Sequence, residues 1–363
     1  FPVFLYTHAR LVDEALQPRG IFVHGWITGS SGLKLSKKET SAKGGRIPPI
    51  DDGLDRWGAD ALRLYYLMAV SPAQDLEFEP EAVDAAAERV ADVARLAREA
   101  LADGDGPPEL DAWLMGRTRD WVDRAHRSFA TRDLRRAAEL LYVEVPALLR
   151  RYYARGGTPG NATARLARAW IRFLAPITPH IAEEIAAPAG DGLVAAATLP
   201  SPDEFAPAPE AEAREAYLDG VEADLRAVLR AGEGRAATAP TRVYFYVAAP
   251  WKRTVESWGR EQLARGEAVG VREAMQRLGS HPELAAHRAE LPRYVERVGP
   301  ALRTEGAAPP TPVDEVDALR AAAGYLAHRF ALREVAVYPE AEAGPFDPKG
   351  RRERARPGDR RST

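Results

Sequence analysis

Four times between Pro80 and Leu174, apolar residues return at three- and four-residue spacing, and Pro- or Gly-rich breaks interrupt the series. That periodicity is the mark of amphipathic helices, and short breaks let successive helices pack only as antiparallel neighbours. Val83, Ala87, Val90, Ala94, Ala97 and Leu101 form the first stripe, behind a proline suited to a first helical turn. Leu110, Trp113, Arg117, Trp121, Ala125 and Phe129 lie on roughly one side of the second. Thr131 or Asp133 can cap a third, which carries Leu134, Ala138, Leu141, Val145, Leu148 and Tyr152 and should kink at Pro146. A fourth, about 162–174, runs into Pro176–His180, which reads as a helix-breaking turn that positions a helix over Ile181–Ile185. The expectation is an antiparallel helical bundle over 80–187.

The rest of the chain divides around this bundle. Residues 1–79 mix strand-like runs, glycine turns and one helix near Asp51–Met68, an α/β fragment. Residues 188–212, rich in Ala, Pro and Gly, read as a linker. Residues 213–340 alternate helices with two strands, Thr241–Val247 and Glu334–Tyr338, which predicts a small α/β domain. Residues 341–363 form a basic tail expected to be disordered. With 363 residues there is length for two or three such domains. The formal net charge of −3 gives no global attraction to nucleic acid, so any such attraction must be local. There is no cysteine, hence no disulfide and no thiolate metal site. This composition fits a cytoplasmic protein. No apolar run reaches about 18 residues, so no membrane partner is expected. The chain starts at Phe1 without a signal-peptide pattern, and we read it as a piece of a longer protein.

One loop carries chemistry. Ile21–Lys38 reads as a short strand, a Gly/Ser turn and a lysine-dense stretch, Lys34-Leu35-Ser36-Lys37-Lys38. Two lysines flanking a serine suit a polyphosphate, because lysine is a compact point charge for phosphate oxygens. The residues alone also allow a solvated lysine turn. About twenty residues on comes Gly58-Ala59-Asp60-Ala61-Leu62-Arg63-Leu64. Positive charge is segregated elsewhere: Arg117–Arg155 holds ten arginines against five acids. From Phe346 on there are seven basic and three acidic residues. An arginine-rich solvated face and a phosphate-contacting surface are both compatible with this.

The K-L-S-K-K loop followed by G-A-D-x-x-R-L resembles the K-M-S-K-S region of class I aminoacyl-tRNA synthetases. The resemblance implies that Lys34 and Lys37 contact the β/γ-phosphates of ATP, supplied with Mg2+ as substrate. Ser36 would add a hydroxyl and the Leu35 backbone would lie near adenine. Lys38 stands where the family usually has serine, and Glu39–Arg46 departs from its usual K-G-N sequel. His24 falls at the end of the entering strand, where such enzymes place nucleotide-side residues; a structural histidine is the other reading. No metal site is implied. The family's second signature, H-I-G-H, is absent, since no two of the histidines at 8, 24, 126, 180, 281, 287 and 328 are three apart. The chain therefore carries half of such an active site, and alone should be inactive.

The resemblance also selects within the class. Ala169–Ile185, AWIRFLAPITPHIAEEI, looks like a segment of the leucyl/isoleucyl/valyl group. Thr241–Val255, Ala318–Pro339 and the tail resemble the C-terminal domain of archaeal/eukaryotic-type leucyl-tRNA synthetases, although the terminal GDRRST departs from their apolar end. The implied fold is multidomain and mainly α: the end of a class I α/β nucleotide-binding catalytic domain (1–79), an anticodon-binding-type bundle (80–187) and a small C-terminal α/β domain (213–340). The editing domain and the front of the nucleotide fold would lie upstream. The implied partners are leucine, ATP and a leucine tRNA with a long variable arm, for an enzyme working as a monomer. On that reading Arg117, Arg124, Arg127, Arg132, Arg135, Arg136, Arg150 and Arg151 are candidates for tRNA contact. The alternatives are an isoleucyl, valyl or methionyl enzyme, or a non-catalytic tRNA-binding subunit of a split synthetase.

Overall fold

The computed structural model describes residues 2–13, 15, 20, 23–28, 50–71, 73–190, 192–232, 241–305, 313–342, 347, 353 and 355–357. The chain is mainly helical and forms two compact units. The first comprises Phe1–Tyr153 and Gly157–Ala206, the second Ala154–Gly156 and Pro207–Thr363.

The first unit opens differently from expectation. Pro2–Val12 is a helix, α1, where strand-like runs were read. Its Thr7 hydroxyl back-bonds to the Val3 carbonyl at 2.8 Å, a local contact that only a helical turn offers. The strand expected at Ile21–Val23 falls mostly outside the described residues, and Val23 itself is not in a strand. Instead Ile27–Thr28 (β1) pairs in parallel with Leu76–Glu77 (β2). Between them lies Ile50–Ala69 (α2), broken at Gly58, whose φ of +77° is the left-handed region open to glycine.

The bundle follows: α3 (Pro80–Ala100), α4 (Pro108–Ala130), α5 (Leu134–Glu139), α6 (Val145–Ala154), α7 (Asn161–Leu174) and α8 (Pro179–Ala186). On α3 the buried face holds Val83, Ala86, Val93, Ala94, Leu96, Ala97 and Ala100; Ala87, Val90 and Leu101 of the expected stripe are only half-buried. Asp133 is the cap of α5, accepting the Arg136 amide at 3.1 Å. The breaks after α3 and after α6 dock on each other. A Cβ on Gly160 would meet the Gly104 carbonyl oxygen at 2.3 Å, so that position requires glycine. The Asn161 amide donates to the same carbonyl at 3.0 Å, and the buried Thr163 hydroxyl donates to the Ala100 carbonyl at 2.8 Å.

Pro146 leaves its mark one turn early. Residues Leu140–Glu144, between α5 and α6, form a π-helical turn, in which the Val145 amide bonds to Leu140 O. Proline has no N–H to give the preceding turn, and a wider turn absorbs the mismatch. The turn frees the Leu141 carbonyl from its usual i+4 donor. The buried Trp170 indole takes that place, donating to Leu141 O at 2.9 Å, while Trp121 donates to Leu140 O at 3.3 Å.

The expected linker is partly a strap. Arg119 donates to the carbonyls of Pro202 and Phe205 at 3.0 and 3.2 Å and pairs with Asp203 at 2.8 Å. Glu183 accepts the amides of Val194 and Ala195 at 3.0 and 2.9 Å. Phe205 is buried, and the next helix, α9 (Pro209–Gly232), begins inside the range read as linker. Alanine and proline are compatible with either state; the buried aromatic and the arginine fastened to three partners decide it.

In the second unit Arg242–Val247 (β3) and Glu334–Pro339 (β4) pair in parallel, with Phe245 opposite Val337. Val243, Phe245, Val247 and Val337 share a core with Tyr217, Leu218, Val221 and Leu225 of α9 and Ala318, Leu319, Ala322 and Leu326 of α13 (Glu315–Arg329). A second core joins α10 (Pro250–Ala264), α11 (Val271–Leu278) and α12 (Leu291–Glu305) through Trp251, Val255, Leu278, Tyr294, Val298 and Leu302. Before α12, which starts at Leu291, Pro282–His287 is a 3-10 turn. Parts of the tail read as disordered are held. Lys252, buried, donates to Glu340 at 2.5 Å and to the carbonyls of Glu353 and Ala355, each at 3.0 Å. Burial depresses the Lys252 pKa, a shift that Glu340 opposes. Arg356 pairs with buried Glu256 at 2.7 Å.

Candidate nucleotide loop and nucleic-acid interface

Lys34, Leu35, Ser36, Lys37 and Lys38 lie outside the described residues. The nearest described backbone is residues 23–28 before the loop and residue 50 onward after it. Before it, the amide of Trp26 donates to the Asp75 carboxylate at 2.7 Å, and the Leu76 and Phe78 amides donate to Trp26 O and Thr28 O at 2.8 and 3.0 Å. A Cβ on Gly25 would sit 2.2 Å from the Gln74 carbonyl oxygen, so the close approach of these two segments needs glycine there. His24 is exposed, its Nδ1 2.7 Å from the Gly25 carbonyl oxygen, which leaves Nε2 pointing to no described partner.

After the loop, two of the segments that carried the resemblance meet. Asp60 of α2 is 7% exposed, and its Oδ2 accepts the Ile181 amide at 2.7 Å. Its Oδ1 lies 3.0 Å from His180 Nδ1. Three residues along, Arg63 donates to the carbonyls of Ile177 and Pro176 at 2.6 and 3.0 Å. A carboxylate at the positive end of α8 and a guanidinium over the carbonyls preceding it are both favourably placed. The two segments therefore act as one joint. Thr178, at the cap position of α8, makes no side-chain cap bond, because its hydroxyl engages Tyr142 and the Leu174 carbonyl. Burial raises the Tyr142 pKa, so its hydroxyl stays protonated in that contact.

The arginines nominated for phosphate are mostly engaged with acids of the same unit. Arg124 pairs with Asp120 and Glu144 at 3.2 and 2.7 Å, and Arg136 with Glu139 and Glu144 at 3.3 and 2.6 Å. Burial works against the charge of Arg136, and Glu144 with Glu139 outweighs it, so its pKa is raised. Arg127 pairs with Asp123 at 2.8 Å, Arg135 with Glu139 at 3.3 Å and Arg117 more loosely with Asp120 at 3.9 Å. Arg150 reaches Asp92 on α3. Arg151 is half-buried, and Arg132 sits at φ +60°, where α4 ends. The local excess counted along the sequence is therefore largely compensated in space. Residues that the sequence reading passed over are Arg165, Arg168 and Arg172 on α7, outside the window in which charge was counted. Their 3- and 4-residue spacing was the available signal. Among the described residues no group of His, Asp and Glu could hold a metal ion, and no helix is long and apolar enough to cross a membrane.

Residues 111–244 match the family described as the anticodon-binding domain of tRNA ligase. The chain is 31% identical to the leucine–tRNA ligase of Methanothrix thermoacetophila over 360 residues, which is 98% of this chain and 36% of that protein. It is 27% identical to the leucine–tRNA ligase of Methanocaldococcus jannaschii over 356 residues, 95% of this chain and 36% of that protein. Among solved structures, the ternary complex of Agrobacterium radiobacter K84 agnB2 LeuRS with tRNA and LeuAMS covers 62% of this chain and 26% of its own, at 20% identity and a TM-score of 0.43. The chain spans about a third of the length of the curated relatives it matches. It is a homologue of archaeal leucine–tRNA ligases, matching them over 64–98% of its own length.

Proposed function

We propose that this chain is the portion of a leucine–tRNA ligase that supplies the K-x-S-K loop and the tRNA-binding helical and C-terminal domains. The observation that carries this reading is the match to leucine–tRNA ligases over 98% of the chain, from the loop region through the second unit. In such an enzyme the leucine carboxylate attacks the α-phosphate of ATP, pyrophosphate leaves, and leucine passes to the tRNA. Negative charge builds on the leaving pyrophosphate, so cations on the loop contribute mostly in the transition state. Lys37 and Lys34 are the residues for that role, with Ser36, Leu35, Lys38 and His24 on the nucleotide side and Mg2+ arriving with ATP. Residues 1–79 would then close a class I nucleotide fold, the bundle would face tRNA, and the second unit would reach the long variable arm. The working protein would be a cytoplasmic monomer.

The test is a charging assay of the complete enzyme with each amino acid, paired with Lys37→Ala. The expected result is charging with leucine alone and a fall of about 10²–10³ in activation rate for the variant, the scale of one lost transition-state donor. Charging with isoleucine, valine or methionine, or an activation rate within a few-fold of normal in the variant, would overturn the proposal.

A further inference from the structure

Most arginines of the bundle pair with carboxylates; the three on α7 meet none among the described residues. Arg165, Arg168 and Arg172 recur at three- and four-residue spacing on one helix face. Arg165 is held by the Glu204 carbonyl and lies over the Phe205 ring at 5.4 Å, without an acid partner. Arg168 is exposed and Arg172 half-buried, and neither makes a hydrogen bond or ion pair among the described residues. These two guanidiniums stand on a ridge between two hollows. The smaller, about 130 Å³, is bounded by Phe205 and Pro200. The larger, about 550 Å³, has an apolar floor of Leu101, Ile171, Ile185 and Val194 and an exposed apolar rim residue, Leu193. Arg98 closes its far side, tied to Glu184 at 2.6 Å.

Two unneutralised cations beside an apolar recess of this size match a ligand with anionic groups along one edge and a flat apolar face. An unpaired nucleotide of a folded RNA has that chemistry: phosphates for guanidiniums, and a base free to leave the stack and enter a pocket. Arg168 and Arg172 are one helical turn apart, placed to meet successive phosphates of one strand. We infer that the α7 ridge and the hollow beneath Leu193 form an RNA-binding subsite, taking the backbone of a single-stranded tRNA stretch on Arg168 and Arg172 and one of its bases in the hollow. This rests on the proposed tRNA-binding role and assigns it to residues other than the eight arginines nominated between 117 and 151.

The experiment measures binding of a fluorescein-labelled leucine-tRNA transcript to residues 1–363 by anisotropy across a salt series. Arg168→Ala/Arg172→Ala removes two guanidiniums that make no hydrogen bond or ion pair among the described residues. Its log–log salt slope should be shallower by about 1.8, at 0.9 per duplex phosphate, or about 1.4 at the single-strand value. With the single-strand figure, between about 50 and about 200 mM salt the wild-type affinity falls about sevenfold more than that of the variant. Leu193→Ser should weaken binding about tenfold without changing the slope, the scale of one apolar side chain left unburied. Arg95→Ala, which removes a guanidinium already paired with Asp92 and Glu99, should leave both quantities unchanged. A steep wild-type slope that the double variant retains would overturn the subsite, and would leave the face for an acidic protein partner, while the tRNA-binding role stands. Wild-type protein without salt-dependent tRNA binding would overturn that role and the subsite with it.

Discussion

Replacing Asp60 with alanine should loosen α8 more than any other single change on α2. The helix has eight residues, too few to persist on its own strength. Its cap residue, Thr178, contributes no side-chain bond, so the Ile181 amide depends on a carboxylate 121 positions away in sequence. Loss of a capping acceptor costs about 0.5–2 kcal/mol. Leaving a part-buried donor unpaired costs about 1–3 kcal/mol, and these two figures describe the same amide and do not add. Loss of the anion at the positive helix end contributes about 0.3–1 kcal/mol more. A total of about 2 kcal/mol corresponds to roughly thirtyfold faster opening. Hydrogen–deuterium exchange of peptides covering 179–186 reads this directly: the Ile181 amide should exchange about thirtyfold faster in Asp60→Ala. Asp60→Asn keeps one acceptor oxygen and should recover more than half of the protection. Exchange in the alanine variant within about threefold of wild type would refute the joint, since an amide that loses its only acceptor cannot keep its protection.

Two further outcomes follow from local geometry. Trp170→Phe should destabilise the first unit by about 1–3 kcal/mol, because the Leu141 carbonyl freed by the π-helical turn loses its indole donor; an unfolding midpoint equivalent to wild type would show that the carbonyl needs no such partner. For Asp92, burial alone would raise the pKa, but Arg95 and Arg150 outweigh it and hold the carboxyl below its usual value of 3.8. A depressed folded pKa means its stabilisation is fully present above the unfolded value and is lost as pH falls through the folded one. Asp92→Asn should therefore lower the midpoint of urea unfolding at about pH 7 and converge with wild type at about pH 2; a gap that persists in acid would refute the ionic account.

The helices of the bundle, their breaks and several of their ends are legible in the sequence because they are local. The period of apolar residues fixes a buried face to within a residue or two, prolines open α3, α4 and α8, and Asp133 caps α5 three residues before the amide it holds. The two long strands of the second unit are legible for the same reason, as is the proline that disturbs the third helix. Tertiary structure decided the rest, because the deciding partner is far along the chain. Nothing near Asp60 announces that it caps a helix starting at Pro179. Nothing in an Ala/Pro-rich run announces that Phe205 is buried and Arg119 strapped across it. The clearest case is charge. Ten arginines against five acids between 117 and 155 read as a basic surface, yet Arg150 is answered from α3 by Asp92, 58 residues away. Arg168 and Arg172, outside the window in which charge was counted, meet no acid among the described residues. Sequence sums charge along the chain; only the packing of helix faces determines which charges cancel and which remain free to meet a phosphate.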